Sequence, residues 1–408
     1  MIPDRFQWVY CQLDTLRRHM PSDIDTIRAR LDELPTTLYD TYERILQGIP
    51  NERSQVACRL YHCIVAAIRP LRVEELAEIS AIEFGPNEVT NLVEQRRPKN
   101  PEEAVLAACS SLINVQSSKA VQFSHISVKE YMTSDRLQTS NFRHLRDYYV
   151  SPELAHTVLA RACIAVLLRF DEKVDRKRVA TFPLAKYASE HWLDHARFEN
   201  VQSRIQGALQ KLFNPKSPFL RACIWMHDVE LEHTNNPEGH SALKQPPLLN
   251  ATPLYYAAFC GFSELAKWLI TVHREDVNAQ CYDDRTPLHV ASDRGHLGAV
   301  RVLLDHGAHT NSQNFLKWMP LHFASARGHL KVVQLLLEHK APLDARSFSN
   351  ISPVYLASQS GHLEVVRLLG DRGADMHIRA DDGLIPFHVA TNNGHRDVAE
   401  LLLTYSAK

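Results

Sequence analysis

The fold of the C-terminal part is decided by the stretch Thr286-Pro287-Leu288-His289, which Gly295-His296 follows a few residues later. Its opening phrase returns as Thr252-Pro253-Leu254, Met319-Pro320-Leu321, Ser352-Pro353-Val354 and Ile385-Pro386-Phe387. The prolines lie 34, 33, 33 and 33 residues apart, and eight residues after each stands a glycine: Gly261, Gly295, Gly328, Gly361 and Gly394. Such a period indicates a stack of repeats in which each copy packs on its neighbours.

Each residue of the phrase has a physical reason. Thr286 can cap a helix because its hydroxyl accepts a backbone amide that lacks another partner. Pro287 fits the first helical position, where no amide is needed, and Gly295 can end the helix in the left-handed conformation without a steric penalty. A second helix begins in the last four copies at His296, His329, His362 and His395. The pattern resembles the ankyrin-repeat family, which implies five copies of a turn and two antiparallel helices over residues 250–408.

The histidines of this region also fit the repeat framework. Eleven of the 22 lie from His289 to His395, almost all at repeated positions, which removes a metal-binding interpretation for this half. We expect His289, and likewise His322 and His388, to bridge the capping hydroxyl to the neighbouring turn.

The copies are not equal in strength. Met319 and Ile385 replace the capping residue, which costs about 1 kcal/mol each. Lys340 and Ser406 stand where other copies have a second glycine, and the first copy has one extra residue near His273. The last helix has the composition of an internal one, which predicts a frayed C-terminus or a stack that continues in a longer protein.

Ankyrin stacks bind through their turn tips and inner-helix face, which form one concave surface. Framework positions are fixed by packing, so specificity is expected where the copies differ. At the tips these are Tyr282, Asp283, Arg285, Phe315, Lys317, Trp318, Arg346, Phe348, Asn350, Asp381, Asp382 and Leu384. On the inner helices they are Asp293, Arg294, Arg327, Gln359, Asn392 and Asn393. Exposed aromatics and arginines are typical binding anchors, although each of the four aromatics could instead brace its turn.

The bulk composition disfavours several function classes. The 46 Lys and Arg nearly balance the 47 Asp and Glu, so no overall field favours nucleic acid or an anionic membrane. The longest apolar run, residues 162–168, is far shorter than the roughly 20 residues that span a bilayer. No apolar secretory segment opens the chain. The eight cysteines form no C-x-x-C pair and indicate reduced, buried thiols, so we expect a cytoplasmic protein, with the nucleus as the alternative.

The N-terminal half is predicted to be helical with one hairpin. Residues 1–50 form a helical segment, with apolar residues at helical spacing over 5–18 and 24–34. Residues 51–142 have the winged-helix-like order of three helices, a hairpin pairing 111–115 with 120–123, and a last helix over 127–137. Residues 143–229 form a helical spacer. Asn235-Asn236-Pro237-Glu238-Gly239 marks residues 230–249 as a linker.

Four phrases of this half carry a second resemblance. They are Phe6-Gln7-Trp8-Val9-Tyr10-Cys11-Gln12-Leu13, Leu34-Pro35-Thr36-Thr37-Leu38-Tyr39-Asp40-Thr41-Tyr42, Arg69-Pro70-Leu71-Arg72-Val73-Glu74-Glu75-Leu76 and Phe123-Ser124-His125-Ile126-Ser127-Val128-Lys129-Glu130-Tyr131. Together they are similar to the region that follows the nucleotide-binding core of NACHT-type signalling ATPases, above all in fungal NLR-like proteins that end in ankyrin repeats. In that family the ATPase core is a nucleotide-dependent switch.

The ATPase core itself is missing from this sequence. No G-x-x-x-x-G-K-[ST] occurs, so no glycine-rich loop and lysine can cradle phosphates. The chain is therefore expected to be the C-terminal part of a NACHT–ankyrin architecture, with an ATPase module upstream in a longer form, or a diverged relative that has lost the motor.

His125 is the one position at which the resemblance implies a nucleotide. In related switch ATPases a histidine at this point of the winged helix contacts the β-phosphate of the nucleotide. The related M-H-D motif has an acid where this chain has Ile126. The interpretation that we favour is a polar histidine that helps to seat the last helix of the domain.

DNA binding and zinc binding are also disfavoured in the N-terminal half. Recognition helices are basic and polar, whereas residues 73–82 carry three glutamates and no base, and residues 101–113 carry Glu102 and Glu103. His191 and His195 lie four apart, as zinc ligands can, but the glutamate of H-E-x-x-H is missing between them. We therefore expect two packed or exposed histidines, no metal site and no nucleic-acid partner.

The sequence predicts a mainly α chain, with winged-helix-like and helical-bundle domains followed by an α-solenoid of ankyrin repeats. We expect a non-enzymatic scaffold without cofactors, whose repeats recognise a protein partner. The resemblance implies ligand sensing in fungal non-self recognition or signalling. One alternative is a regulatory remnant that contacts nucleotide through His125. The other, a DNA-binding winged helix with an ankyrin adaptor, is disfavoured by the acidic helices.

Overall fold

The computed structural model describes residues 37–85, 90–171, 173–227 and 251–406 of the chain. The helices predicted over 5–18 and 24–34, and the linker predicted over 230–249, lie outside the described residues. The chain divides into two compact units, Met1–Leu212 with Arg221–Pro247 and Phe213–Leu220 with Leu248–Lys408. Helices dominate the described part, as the sequence predicts.

The described residues before the repeats form helices and two small hairpins. The helices are Leu38–Gln47, Asn51–Ala66, Val73–Ser80, Pro101–Cys109, Ile126–Met132, Asp135–Gln138, Arg143–Arg146, Pro152–Leu167, Arg176–Ala180, Ala185–Ala196, Val201–Arg204, Gln206–Leu212 and Phe219–Met226. Short 3-10 turns lie at Glu94–Arg96 and Ser110–Leu112.

One hairpin is confirmed and a second was not foreseen. Ile113–Val115 pairs antiparallel with Val121–Phe123, across the polar residues that the sequence assigns to the turn. Ile82–Phe84 pairs with Thr90–Leu92, so the helix predicted over 73–82 ends at Ser80 and a strand follows. The apolar residues of this strand gave no alternation long enough to separate it from the preceding helix.

The predicted helix over 127–137 is two helices in the structure. Ile126–Met132 ends where the hydroxyl of Thr133 donates to the Lys129 carbonyl oxygen at 3.1 Å. Ser134 then accepts from the backbone amide of Leu137 at 3.4 Å and caps Asp135–Gln138. Hydroxyl side chains offer the backbone an alternative partner, which explains the break.

The helix Pro152–Leu167 forms the centre of the first unit's core. Ser151 caps it at the amide of Leu154, and ten of its residues are buried. It packs against Ala185–Ala196 and Asn51–Ala66. The winged-helix-like segment and the spacer as far as Leu212 therefore lie in one compact unit and share one core, whereas Phe213–Leu220 of the predicted spacer belongs to the second unit.

The second unit is a stack of five helix pairs. The inner helices, which follow the prolines, are Pro253–Cys260, Pro287–Asp293, Pro320–Ala326, Pro353–Gln359 and Pro386–Asn392. The outer helices are Ser263–His273, Leu297–Asp305, Leu330–Glu338, Leu363–Asp371 and Arg396–Ser406. Each inner helix packs on its own outer helix and on the inner helix of the next copy.

Most local signals of the repeats have the predicted geometry. Thr252 and Ser352 each accept the third backbone amide of their helix, whereas the Thr286 hydroxyl lies 2.9 Å from Nδ1 of His289 and Ile385 makes no capping bond with its side chain. The glycines after the inner helices have φ between +73° and +80°. Lys340, at a second-glycine position, adopts the same left-handed region with φ +60°. That region is open to non-glycine residues at a cost of about 1 kcal/mol.

Candidate protein-binding surface

Each glycine–histidine pair joins two copies of the repeat. The Nε2 atom of His362 donates to the carbonyl oxygen of Ala326 in the preceding copy, at 3.0 Å. Its ring occupies the space beside Gly328, where an added Cβ would lie 2.5 Å from Nδ1. The same contacts link Gly261 with His296, Gly295 with His329 and Gly361 with His395. Glycine is therefore required at this position for two reasons. It adopts the positive φ, and it leaves the space that the histidine ring of the next copy occupies.

The first histidine of the repeat bridges copies from a second side. The Nδ1 atom of His289 accepts from the amide of Thr286 at 3.0 Å, so Nε2 carries the proton and donates to the Trp318 carbonyl at 3.1 Å. His322 makes the same two contacts, with Met319 and with the Ile351 carbonyl. Burial lowers the pKa of each imidazole to about 4, so both are neutral at pH 7. The predicted bridge from the capping hydroxyl is confirmed at His289, whose Nδ1 also lies 2.9 Å from the Thr286 hydroxyl, whereas His322 starts its bridge from the Met319 backbone amide.

The turns between copies form a continuous row of four hairpins, which we call the tip row: residues 281–285, 314–318, 347–351 and 380–384. In each hairpin the first amide donates to the last carbonyl, as Asn314 does to Trp318 at 3.0 Å. Neighbouring tips are joined by backbone hydrogen bonds of 3.1 Å from Phe315 to Asp283, from Phe348 to Leu316 and from Asp381 to Ser349. These bonds fix the spacing of the tip side chains before any partner binds.

The predicted tip residues divide into exposed and half-buried groups. The exposed side chains are Asp283, Phe315, Lys317, Arg346, Phe348, Asp381 and Asp382; the half-buried ones are Tyr282, Arg285, Trp318, Asn350 and Leu384. Phe315 is 49% exposed and Phe348 is 61% exposed, on adjacent tips. The Lys317 ammonium lies 4.5 Å from the centre of the Phe348 ring.

The half-buried tip residues make contacts that hold the turns. The Trp318 ring packs 5.2 Å from that of Phe323, centre to centre. The Arg285 guanidinium lies 4.7 Å above the same Phe323 ring. Asn350 donates to the Arg379 carbonyl at 2.7 Å. These three residues therefore support the row as well as contributing to its surface.

The inner-helix candidates lie beside one another but are partly engaged. Arg327 donates to Asp293 at 2.9 Å, an ion pair whose arginine is mostly exposed. The Arg294 guanidinium lies 4.4 Å from the centre of the Phe259 ring. Exposed polar side chains are Gln359, Asn392 and Asn393. The inner face is thus polar, and the exposed apolar anchors of the surface are at the tips.

Sequence reasoning missed several features of the repeats. Leu316, which is 42% exposed, extends the apolar patch of the tips. Ser292, Ser325 and Ser358 are fully buried and their hydroxyls have no hydrogen-bond partner. All three stand five residues after the repeat proline, so the period itself was the available signal. A buried hydroxyl without a partner costs about 1–3 kcal/mol.

In the first unit, His125 is the N-cap of the helix Ile126–Met132. Its Nδ1 lies 2.7 Å from the Ser127 hydroxyl and accepts from the Ser127 amide at 3.3 Å. The same hydroxyl lies 2.8 Å from that of Tyr42. His125 thus caps the start of this helix, and the Ser127 hydroxyl links the helix to Leu38–Gln47.

The glutamates of Val73–Ser80 have structural partners. Glu75 pairs with Arg69 at 2.6 Å and accepts from the Arg72 amide, and its residue is buried. Glu78 is buried, pairs with Arg97, and accepts from the Leu184 amide at 2.7 Å. A helix whose acidic side chains are buried in this way is not suited to bind DNA, because recognition helices present basic and polar side chains to the phosphates and base edges.

A cleft of about 720 Å³ opens in the first unit, between residues 46–59, the first hairpin and residues 144–148. Its one cysteine is Cys58, where burial raises the pKa of the thiol to about 12. A thiol that stays protonated at pH 7 is not a nucleophile. Arg59, which also lines the cleft, donates to the Ile82 carbonyl at 3.0 Å.

His191 and His195, the pair weighed as zinc ligands, lie in different surroundings. His195 is fully buried, with Nδ1 2.8 Å from Nδ1 of His156 and Nε2 2.8 Å from the Tyr187 hydroxyl. His191 lies 3.4 Å from Asp194. Within the described ranges no three histidine, cysteine, aspartate or glutamate side chains are placed to hold a metal ion. Nor does any helix there reach the length and apolar character needed to cross a membrane.

Family models match both halves of the chain. Residues 227–314 and 310–380 match the model described as ankyrin repeats in three copies, and residues 382–408 match the ankyrin repeat model. Residues 42–143 match the winged helix domain of GPI inositol-deacylase. The ankyrin repeats are therefore confirmed, and the chain contains a winged-helix domain similar to that of GPI inositol-deacylase. Ankyrin repeats are typically non-catalytic modules.

Two relatives are similar over parts of their length. The chain is 29% identical over 295 residues to azaphilone pigments biosynthesis cluster protein L of Monascus ruber, covering 68% of this chain and 61% of that protein. It is 37% identical over 60 residues to alpha-latrocrustotoxin-Lt1a of Latrodectus tredecimguttatus, which is 15% of this chain and 4% of the toxin. The chain thus spans less than two thirds of each relative.

Proposed function

We propose that this chain is a non-enzymatic recognition scaffold whose tip row binds a protein partner. The observation that carries the proposal is the pair of exposed rings, Phe315 and Phe348, on adjacent tips. The backbone bond from Phe348 to Leu316 joins the two tips that carry these rings. Large exposed apolar side chains clustered on a rigid frame are typical of protein-binding surfaces.

The two exposed rings can act as the anchors of a larger contact. A phenylalanine has roughly 150–250 Å² of surface, so rings about half exposed each leave on the order of 100 Å² in water. Burial at about 25 cal/mol per Å² contributes roughly 2–3 kcal/mol for each ring. Little conformational entropy is lost on binding, because the inter-tip hydrogen bonds already order the backbone.

The wider role that we propose is sensing within an NLR-like signalling protein of fungal type, acting in the cytoplasm. Its support is the similarity of residues 6–13, 34–42, 69–76 and 123–131 to NACHT-associated phrases, together with a relative from a filamentous fungus. In this proposal the repeats detect the partner, and an ATPase module upstream in a longer form would respond. No cofactor or nucleic acid is needed for recognition by the tip row.

Affinity capture with the full chain tests the recognition role. Wild type is compared with the double variant Phe315→Ala/Phe348→Ala, with Phe142→Ala as a matched control because that ring is 54% exposed in the first unit. Trp318→Ala is avoided because Trp318 also packs on Phe323. We expect the double variant to lose partners that wild type and the control retain.

Circular dichroism and hydrogen exchange establish that the double variant still folds. Equal capture by the folded double variant and by wild type would reject the tip row as the binding surface.

A further inference from the structure

The tip row has an ordered pattern of charge along its length. The first tip exposes Asp283 and Asp284, and the last exposes Asp381 and Asp382. The two central tips expose the apolar side chains of Phe315, Leu316 and Phe348 beside two cations, Lys317 in the second tip and Arg346 just before the third. The surface therefore runs from acidic, through apolar and basic, to acidic again.

The cations at the two ends do not erase this pattern. Arg285 of the first tip is half-buried, with its guanidinium over the Phe323 ring. Arg379, just before the last tip, donates to the Gly383 carbonyl at 2.7 Å. Two carboxylates against one arginine leave each end with a net negative charge. The pattern is local, because the whole chain has a formal net charge of only −1.

The spacing of the row sets the length of a complementary segment. Neighbouring inner helices pack about 8–10 Å apart, so three such steps separate the acidic tips by roughly 24–30 Å. An extended chain covers that distance in about eight residues, at about 3.3 Å per residue. The αL conformations of Asp284, Lys317, Asn350 and Gly383 recur at the same place in every tip and keep the steps regular.

We propose that the partner presents a segment with an apolar residue and a carboxylate at its centre and basic side chains about four residues to either side. The inference rests on the proposed recognition function of the tip row and adds the chemistry of the partner. The apolar residue packs on Phe315 and Phe348, and the carboxylate meets Lys317 and Arg346. The basic ends meet the acidic tips, where opposite charges guide encounter and register.

Selection from a phage-displayed library of random twelve-residue peptides on the full chain tests the proposal. We expect enriched peptides to place Lys or Arg on both sides of an apolar–acidic centre. The best peptide is then synthesised and compared, by fluorescence anisotropy, with a version in which every charge is reversed. The reversed peptide is expected to bind at least about ten-fold more weakly.

Two variants separate the charge pattern from the apolar contact. Asp284→Asn/Asp381→Asn removes one charge from each end at constant size, and asparagine tolerates the left-handed conformation of residue 284. We expect about three-fold weaker binding per charge, or roughly ten-fold together, with a smaller effect at 0.3 M salt than at 0.05 M. Phe348→Ala is expected to weaken binding at either salt concentration.

Each outcome decides between the two proposals. Suppose that Phe348→Ala abolishes binding of the enriched peptides. If those peptides lack basic ends, or bind the double asparagine variant as they bind wild type, the partner chemistry is overturned and the recognition function stands. Enriched peptides that bind Phe348→Ala as they bind wild type overturn both proposals. A library that yields no enriched peptide also overturns the partner chemistry proposed here.

Discussion

Replacing Gly328 by alanine tests how the copies are held together. Gly328 has φ +73°, and the His362 ring of the next copy fills the space that a Cβ would need. The left-handed backbone costs alanine about 1 kcal/mol. Displacing the ring also breaks the hydrogen bond to the Ala326 carbonyl, worth about 1 kcal/mol, and loses its packing. We therefore expect a loss of about 2–3 kcal/mol in the free energy of unfolding of the repeats.

Gly373 is the matched control for the backbone effect. It has φ +87°, and an added Cβ there would meet nothing within 4 Å. Gly373→Ala should therefore cost only the backbone term, about 1 kcal/mol. In a His362→Ala background the Gly328→Ala cost should fall to the same value, which gives a coupling energy of about 1–2 kcal/mol.

The assay is native-state hydrogen exchange of amides in residues 320–371, since the two units of the chain need not unfold together. It reports the opening free energy of the central copies within the full chain. The reasoning is refuted if Gly328→Ala costs no more than Gly373→Ala, or if its cost is the same with and without His362.

Three further predictions concern buried polar groups. Ser325→Ala should stabilise the repeats by about 1 kcal/mol because the buried hydroxyl has no partner, whereas Ser352→Ala should destabilise them by about 1 kcal/mol through loss of the helix cap. Urea unfolding compares the two variants, and a lower free energy of unfolding for Ser325→Ala than for wild type would contradict the prediction. Burial lowers the pKa of His322 from 6.5 to about 4, so the unfolded chain binds the proton more readily than the folded chain. The contribution of His322 to the free energy of unfolding should therefore be complete above pH 6.5 and should fall toward pH 4 by up to about 1.4 kcal/mol per pH unit. A flat profile of the unfolding free energy over this range would contradict the prediction. Glu78→Ala should lower the free energy of unfolding of the first unit by about 3–5 kcal/mol because it leaves Arg97 without its buried partner. An unchanged thermal melting curve of the first unit would contradict this prediction.

The repeats could be read from the sequence because their signals are local and recur in phase. The proline, the capping hydroxyl and the left-handed glycine each act within a few residues, so five copies reinforce one prediction. The contact between Gly328 and His362 could not be read in this way, because it joins residues 34 positions apart in sequence. The period showed that both residues recur, but only the fold shows that one makes room for the other.

The candidate surface was predicted in part. Variable tip positions mark the surface because framework packing does not fix them, and Phe315 and Phe348 are exposed there as expected. Composition does not show how far each side chain is engaged, since Trp318 is partly covered by Phe323 through contacts within its own copy. Likewise the sequence shows that Glu75 and Glu78 make their helix acidic, but only the fold shows that both are buried and paired with Arg69 and Arg97.

The most direct test of the recognition function is the dissociation constant of the best selected peptide for the full chain, measured by titration calorimetry with wild type and with Phe348→Ala. Loss of a ring that contributes about 2 kcal/mol corresponds to a dissociation constant about 30-fold higher. We expect a rise of at least about ten-fold for Phe348→Ala and an unchanged dissociation constant for Phe142→Ala. Equal dissociation constants for wild type and Phe348→Ala would contradict it.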